Sequence, residues 1–183
     1  MKLVIASDIH GCAPACRKLL EVFESSNADR LILLGDLLYH GPRNDLPQGY
    51  APKEVIELLN GIKDKILAVR GNCDTEVDQM VLSFPILADY AILPIGSRLV
   101  YMTHGHVYNL SSLPPLSEGD ILLHGHTHIP DCLEEKDIRY LNPGLVSIPK
   151  ENSPHSYMTL ERGTFLWKDL ASREIYKEFT IAL

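Results

Sequence analysis

Residues 121–128 constrain the fold of this chain more than any other stretch. Three apolar residues are followed directly by three histidines at alternate positions, His124, His126 and His128. An apolar run of this kind predicts a buried strand, and burying imidazoles at its end costs free energy unless each finds a partner. Histidine is the commonest metal ligand in proteins, and one ion can bind several imidazoles. The stretch therefore predicts a buried strand that ends at a metal site.

The first 70 residues alternate between predicted strands and predicted helices. Apolar runs predict buried strands at 2–7, 30–34 and 66–69, and apolar residues at helical spacing predict helices at 13–25 and 52–59. This alternation is typical of a parallel sheet with helices packed on it. The first half of the chain therefore predicts an α/β fold.

The second half of the chain predicts strands without intervening helices. Six short runs have strand character, at 86–93, 99–103, 121–123, 139–141, 157–160 and 164–166. They predict a second, mixed sheet packed on the first. Segment 111–119, with two adjacent prolines, predicts a surface loop. Because no change in composition marks a boundary, we expect residues 1–183 to form a single domain.

Charge and cysteine content argue against several classes of partner. The chain has 17 basic and 24 acidic residues, a net charge of −7 and no basic block. This composition does not favour duplex nucleic acid or a membrane surface as a partner, and no apolar run reaches transmembrane length. The four cysteines lack CxxC or zinc-ribbon spacing. Together with the lack of a signal-peptide pattern, this predicts a cytoplasmic protein with reduced thiols.

Polar residues that can bind metal follow the predicted strands along the chain. They are Asp8, His10, Asp36, Asn72, His104, His106, His124, His126 and His128. In open α/β sheets the carboxyl ends of the strands form the edge where ligands bind, so five segments should converge there. Carboxylate, imidazole and amide ligands suit Mn, Fe, Ni, Co or Zn. More ligands than one ion can use predict a dinuclear site, with Asp36 as the bridging carboxylate.

Simpler structural explanations exist for some of these residues. Asp8 and His10 could cap the following helix, and His126 and His128 could be hydrogen-bonded core histidines. The convergence of five segments on one edge favours metal ligands in both cases.

Five sequence motifs resemble those of the calcineurin-like metallophosphoesterases. They are Asp8-Ile9-His10, Gly35-Asp36, Gly71-Asn72-Cys73-Asp74, Thr103-His104-Gly105-His106 and Gly125-His126-Thr127-His128, and their order and spacing match the family across nearly the whole chain. The small size, the Gly-Asn-Cys-Asp motif and loop 39–44 are most similar to the bacterial YfcE-type phosphodiesterases. The resemblance implies a four-layer α-β-β-α sandwich of two mixed β-sheets.

The resemblance also implies a division of the ligands between two divalent ions. One ion would be held by Asp8, His10, Asp36 and His128, and the second by Asp36, Asn72, His104 and His126. Manganese is the expected metal, with Fe, Ni, Co or Zn as alternatives. A hydroxide that bridges the two ions would attack the phosphorus of a small phosphoester substrate.

Cys73 departs from many phosphatases of this superfamily, which carry a histidine that is thought to protonate the leaving oxygen. A thiol with an ordinary pKa of about 8.5 is a poor substitute, so esters with aryl or some diester leaving groups are favoured over alkyl monoesters. The sequence therefore predicts a phosphodiesterase. A phosphomonoesterase, a dinucleoside-polyphosphate hydrolase and a non-catalytic protein-binding scaffold are the alternatives. Because all seven ligand positions carry ligating residues, the enzyme is favoured over the scaffold.

Two further residues near the ligands are predicted to support the chemistry. Asp74 is expected to orient Asn72 or a ligand histidine, as carboxylates next to metal sites often do. His106 is expected to contact a ligand or the substrate, with packing as the alternative; the same choice stays open for His124.

The long polar loop at 39–51 is predicted to reach the substrate. His40, Arg43 and Asn44 could contact its phosphate, and a solvated surface loop is the alternative. The exposed edges of two sheets and the apolar-rich segment 50–59 favour a homo-oligomer.

Overall fold

The computed structural model describes residues 1–135, 137–149 and 151–181. The first half of the chain forms β1 (Lys2–Ala6), α1 (Ala13–Ser25), β2 (Arg30–Leu33), α2 (Pro52–Asn60), a 3₁₀ turn (Lys63–Lys65), β3 (Ile66–Ala68) and α3 (Glu76–Gln79). The second half forms β4 (Tyr90–Ile95), β5 (Arg98–Thr103), β6 (Ile121–Leu123), β7 (Pro130–Glu135), β8 (Ile138–Pro143), β9 (Ser156–Glu161), β10 (Thr164–Asp169) and β11 (Ile175–Thr180).

These strands form two mixed sheets. Across the described ranges, the first sheet has the order β11-β10-β9-β1-β2-β3 and the second has the order β4-β5-β6-β8-β7. β1, β2 and β3 are parallel neighbours, as the strand–helix alternation predicts. β5, β6 and β8 are parallel neighbours in the second sheet. The predicted pair of mixed sheets is therefore confirmed.

Alternate residues of β1 pack into two different cores, because successive side chains of a strand point to opposite faces. Val4 and Ala6 pack against the buried face of α1, which includes Leu19. Leu3 and Ile5 belong to the core between the two sheets. A fully buried leucine or isoleucine contributes about 1.5–3 kcal/mol, so these two cores hold the strand ends in fixed positions.

The outer face of the second sheet is covered by the irregular segment 104–120. Tyr101 and Leu122 lie on this face, and Leu113 and Leu116 of the segment pack on them. Among the described residues, this loop covers the second sheet as α1 and α2 cover the first. The outer layer that the resemblance implies as helical on this side is therefore irregular here, and the two mixed sheets with helices on the first are as expected.

The prediction misses several short elements. β7 and β11 lie at the outer edges of their sheets, where a strand buries only part of its surface and needs no apolar run. The predicted strand 86–93 begins only at Tyr90, because Ile86 instead packs in the helical core and its N–H donates to Gln79 Oε1 (2.9 Å). α3 has four residues and begins with a capping box between Thr75 and Asp78.

The helices that the structure describes are all too short or too polar to cross a lipid bilayer.

Candidate metal centre

The structure brings all seven predicted metal ligands together at the carboxyl ends of five strands. Asp8 and His10 follow β1, Asp36 follows β2, Asn72 follows β3, His104 follows β5, and His126 and His128 follow β6. Backbone hydrogen bonds join the first two of these segments: Asp8 N–H donates to Gly35 O (3.1 Å) and His10 N–H donates to Asp36 O (2.9 Å). The predicted convergence on one edge is therefore observed.

One group of donor atoms surrounds Asp8. His128 Nε2 lies 3.2 Å and His10 Nε2 lies 3.5 Å from Asp8 Oδ1. The two Nε2 atoms are 3.4 Å apart, and His10 Nε2 is 3.9 Å from Asp36 Oδ2. These four residues are the set that the resemblance assigns to one ion.

A second group of donor atoms surrounds His104. Its Nε2 atom lies 3.5 Å from Asp36 Oδ2, 3.1 Å from Asn72 Oδ1 and 3.2 Å from His126 Nδ1. Asp36 Oδ2 therefore faces His104 in this group and His10 in the first, as a bridging carboxylate should.

The ring orientations leave one nitrogen of each of two histidines directed at the cluster. His10 Nδ1 lies 2.8 Å from Tyr39 O and His104 Nδ1 lies 2.6 Å from Leu34 O. Since a carbonyl oxygen only accepts, each Nδ1 donates a proton to it, and each Nε2 is the ring nitrogen left to bind a metal ion. The same pattern orients metal-bound histidines in known sites.

The donor atoms fit divalent cations better than they fit one another. Asp8 Oδ1 and His128 Nδ1 are buried without a hydrogen-bond partner among the described residues. Ligands about 2.1 Å from a shared ion lie about 3.0–3.4 Å apart. Six of the seven distances given for the two groups are close to this, at 3.1–3.5 Å, and the seventh, from His10 Nε2 to Asp36 Oδ2, is 3.9 Å. The residues present therefore have the composition and spacing of a metal site.

The carboxylates of this cluster are held in their ionised form. Burial opposes ionisation of Asp8, but His104, His10 and His128 outweigh it and hold its pKa well below the usual range. Burial also opposes ionisation of Asp36, and contact with His104 lowers its pKa nevertheless. The two carboxylates in turn overcome the effect of burial on His104 and raise its pKa to about 9.

Five of the seven residues have a left-handed backbone conformation. The φ angles are 60° at Asp8, 49° at His10, 56° at Asp36, 65° at His126 and 68° at His128. This conformation costs about 1–2 kcal/mol for a residue with a Cβ, and it persists where the surrounding structure imposes it, typically at functional sites. The strained turns direct side chains that are close in sequence into one cluster.

Gly125 begins the turn that carries His126 and His128, here called the histidine turn, and lets it approach Asp8. A Cβ at this position would overlap the Ser7 side chain and come within 2.7 Å of Asp8 Oδ2. We expect Gly125→Ala to displace the candidate metal ligands. This should lower kcat/KM for the phosphodiester substrate that the sequence predicts about 10²-fold, the usual cost of moving a catalytic group by about 1 Å. Steady-state kinetics and metal content measure this, with circular dichroism as a check of folding. Gly61→Ala, at the end of α2, is the matched control; equal activity of both variants would contradict the prediction.

A family model for the calcineurin-like phosphoesterase superfamily domain matches residues 1–164. The chain belongs to this superfamily. It is 50% identical to phosphodiesterase YfcE of Escherichia coli K12 over 161 residues, which cover 88% of each chain. The solved structure of YfcE, a phosphoesterase from E. coli, matches with a TM-score of 0.96 and 46% identity and covers 100% of both chains. The predicted family, fold and phosphoester hydrolase class are thereby confirmed.

The same fold occurs in a protein of much lower sequence identity. Vps29 of Entamoeba histolytica, in complex with zinc, matches with a TM-score of 0.63 and 19% identity and covers 98% of this chain and 99% of that one. At this identity the likeness concerns the fold alone. For a calcineurin-like phosphoesterase, divalent metal ions agree with both the family and the clustered donor atoms described above.

Asp74 does not make the contact that the sequence analysis expects. Its carboxylate accepts from the backbone N–H groups of Asp36 (2.8 Å), Leu37 (2.9 Å) and Gly71 (2.7 Å). It therefore holds the turn that carries Asp36 rather than the side chain of Asn72 or a histidine. Sequence spacing cannot reveal this, because two of the three partners, Asp36 N–H and Leu37 N–H, are backbone groups on another segment.

Cys73 lies directly beside the predicted bridging carboxylate. Its N–H donates to Asp36 Oδ1 (2.8 Å), and its Sγ lies 3.2 Å from Asn72 Nδ2. Burial and the carboxylate of Asp36 raise the pKa of the thiol. The side chain is therefore an uncharged group in the wall of the site and a weak proton donor.

His106 and His124 lie at the margin of the cluster. The ring of His106 is 5.4 Å from that of His104, and burial together with His104 lowers its pKa. The ring of His124 packs on Tyr140 at 4.7 Å, and burial lowers its pKa to about 4. Neither side chain reaches the two donor groups, so contact with the substrate stays a prediction for His106.

A cavity of about 480 Å³ opens over the cluster and contains part of the predicted substrate loop. Arg43 and Asn44 line it, and the Asn44 amide donates to His40 O (2.8 Å). Arg43 forms no hydrogen bond or ion pair with any residue in the described ranges, so its guanidinium is available to an anion. The His40 ring instead packs between Tyr39 and Tyr50, outside the lining of this cavity.

Thr127 and Asn142 are two residues of the site that the sequence analysis did not assign. Thr127 lines the cavity between the two histidines. Asn142 Nδ2 donates to Gly125 O (2.9 Å) and to Thr127 Oγ1 (3.0 Å) and so fixes the histidine turn. Thr127 lies inside a recognised motif, whereas Asn142 begins an Asn-Pro-Gly sequence that indicates a structural turn and not a contact with the site.

Proposed function

We propose that this protein is a metal-dependent phosphodiesterase that binds two divalent ions, with manganese as the preferred metal. The observation that carries the proposal is the division of the donor atoms into two groups that share Asp36, with Oδ2 3.9 Å from His10 Nε2 and 3.5 Å from His104 Nε2. The 50% identity to the phosphodiesterase YfcE supports the reaction class. The mix of imidazole, carboxylate and amide donors supports manganese over magnesium.

The chain contributes position and charge to this reaction. When bound, two divalent ions lower the pKa of water and neutralise the charge of the phosphoryl oxygens. The hydrogen bonds to Tyr39 O and Leu34 O keep the rings of His10 and His104 directed at the site. Arg43, at the cavity wall, can bind a phosphate oxygen through two N–H groups.

The leaving group is where this site differs from a monoesterase. The position beside Asp36 carries the Cys73 thiol, whose pKa is raised by burial and by Asp36. Such a thiol delivers a proton poorly, so leaving groups that depart without protonation are favoured. A diester also carries one charge fewer than a monoester dianion, so less charge must be neutralised. We therefore rank the diester above the monoester and the dinucleoside polyphosphate.

A panel of metals and phosphoesters tests this proposal. After removal of metal with EDTA, we expect no hydrolysis of bis(p-nitrophenyl) phosphate, and restoration by Mn²⁺ to the highest rate. We expect kcat/KM for this diester to exceed that for p-nitrophenyl phosphate by about tenfold, or 1.4 kcal/mol. Metal analysis should find about two ions for each chain. A preference for the monoester would contradict the diesterase, and full activity with Mg²⁺ alone would contradict the proposed metal.

The proposal also includes the cellular compartment and the oligomeric state of the enzyme. Its four cysteines are all free, which supports a reducing compartment such as the cytoplasm. The edge strand β4 exposes Tyr90 and Ile92, and this supports self-association through an unpaired sheet edge.

A further inference from the structure

An apolar groove lies next to the metal-bearing cavity, and Cys73 borders both. The groove has a volume of about 400 Å³ and is built from three separate segments: the loop after β2, helix α2 and the region of α3. Its apolar and aromatic walls are formed by Leu38, Tyr39, Tyr50, Pro52, Ile56, Val77 and Val81. The two concave surfaces are therefore neighbours that share one small wall residue.

The two neighbouring surfaces differ in chemistry. The cavity over the metal site presents Arg43, Asn44 and the histidine turn. The charged residues of the groove are Lys53 and Asp78, and the Asp78 carboxylate is already bonded to Thr75 N and Oγ1 (2.8 Å each). A ligand that spans both surfaces would place its charged group over the metals and an apolar group in the groove.

The groove walls expose apolar surface that packing does not explain. Val77 is 69% exposed, Val81 is 44% exposed and Tyr39 is 42% exposed. Scattered exposed apolar residues are ordinary, but several that line one concave surface mark a binding site.

The aromatic wall of the groove is fixed in place. The His40 ring packs edge-on against Tyr39 at 4.7 Å and Tyr50 at 5.4 Å. Tyr39 is also tied to the metal site, because its carbonyl accepts from His10 Nδ1 (2.8 Å). A ring that binds against Tyr39 would therefore meet a side chain that is already held in position. Little free energy would be lost in ordering that side chain on binding.

We infer that this groove binds an aromatic ring of the leaving alcohol of the diester, so that the substrates are aryl phosphodiesters or diesters with a comparable flat ring. The inference rests on the proposed function. It follows from the position of the groove, which shares Cys73 with the lining of the metal cavity, and from its apolar and aromatic walls. Such a surface beside a phosphoester site recognises the flat ring of a phenol or a similar alcohol.

Two phosphonates that are not cleaved at the ring test the groove directly. Methyl benzylphosphonate places a phenyl ring where an aryl ester would have it, and methyl methylphosphonate carries the same single charge without the ring. With the manganese-loaded protein, we expect the benzyl compound to inhibit diester hydrolysis with an about tenfold lower inhibition constant, because the groove removes the ring from water. In Val77→Glu, the two constants should agree within about twofold.

The ratio of the two inhibition constants measures the contribution of the phenyl ring to binding, because both phosphonates carry the same charge and respond equally to the added carboxylate. Ile175→Glu, at an exposed position on β11, is the matched control and should keep the tenfold ratio. Equal constants in the wild type, or an unchanged ratio in Val77→Glu, would overturn the groove assignment. An unchanged ratio with an altered sedimentation coefficient would assign the surface to a second copy of the chain instead.

Failure of the groove and failure of the enzyme can be told apart. If no diester is hydrolysed, the proposed function is wrong, and isothermal titration calorimetry still measures the binding ratio of the two phosphonates. If diesters are hydrolysed and the two phosphonates have equal inhibition constants, the proposed function is correct and the groove assignment is wrong.

Discussion

Replacing Asp36 with asparagine should lower kcat for an aryl phosphodiester by about 10³-fold or more, roughly 4 kcal/mol of transition-state stabilisation. The amide oxygen can still accept from Cys73 N–H, as Asp36 Oδ1 does now at 2.8 Å. The negative charge between His10 Nε2 and His104 Nε2 is lost, however. We therefore expect metal content to fall from about two ions to one or none.

Kinetics with added Mn²⁺, metal analysis and thermal unfolding of the metal-free protein together test the role of Asp36. The unfolding temperature should change little, because the sheet cores surrounding the site remain intact. Asp64→Asn removes the same charge from an exposed position in the 3₁₀ turn before β3, at the opposite end of the strand from the ligands, and should behave as the wild type. Full turnover and two bound ions in Asp36→Asn would exclude Asp36 as the bridge.

The clustering of the seven candidate ligands could be predicted from the sequence because each of them follows an apolar run that predicts a buried strand. Asp36 and His126 stand out in this way without any knowledge of their partners. Once the runs are identified as parallel strands, their carboxyl ends must share an edge, so the convergence follows from topology. The chemistry of the donors then limits the ion to a few metals.

The geometry of the turns could not be predicted. The residue types of Asp8 and His128 do not by themselves predict φ angles of 60° and 68°, since such angles are uncommon even for aspartate and histidine, which adopt them more often than other non-glycine residues. The neighbouring contacts that impose these angles are long-range, such as the hydrogen bond from Ser147 Oγ to Asp8 O (2.7 Å). The same holds for Asp74, whose partners are backbone groups.

The apolar groove was also invisible in the sequence. Tyr39, Ile56 and Val77 are separated by up to 38 positions, and each alone is an ordinary apolar residue. Only the packing of α2 and α3 beside the loop after β2 places them on one surface next to Cys73. The candidate metal ligands thus lie in local sequence motifs, whereas the proposed substrate groove is assembled by tertiary contacts.

Replacing Cys73 with histidine should raise kcat/KM for p-nitrophenyl phosphate by at least about tenfold, toward the 10²–10⁴-fold that a positioned proton donor can contribute. The imidazole has an ordinary pKa of about 6.5 and can donate near neutral pH. The position suits this exchange, because Cys73 borders two open volumes of about 480 and about 400 Å³. The gain should be larger for alkyl than for aryl monoesters, because alkoxides depend more on protonation.

The same substitution should weaken diester hydrolysis, because the larger ring takes up space where the metal cavity and the groove border on each other. The ratio of kcat/KM for bis(p-nitrophenyl) phosphate to that for the monoester measures both effects at once. Cys73→Ser removes the thiol without adding an acid or bulk, so its ratio should stay near that of the wild type. If Cys73→Ser and Cys73→His gave the same ratio, substrate choice would have to depend on residues other than the one at position 73, and the groove would remain the first candidate.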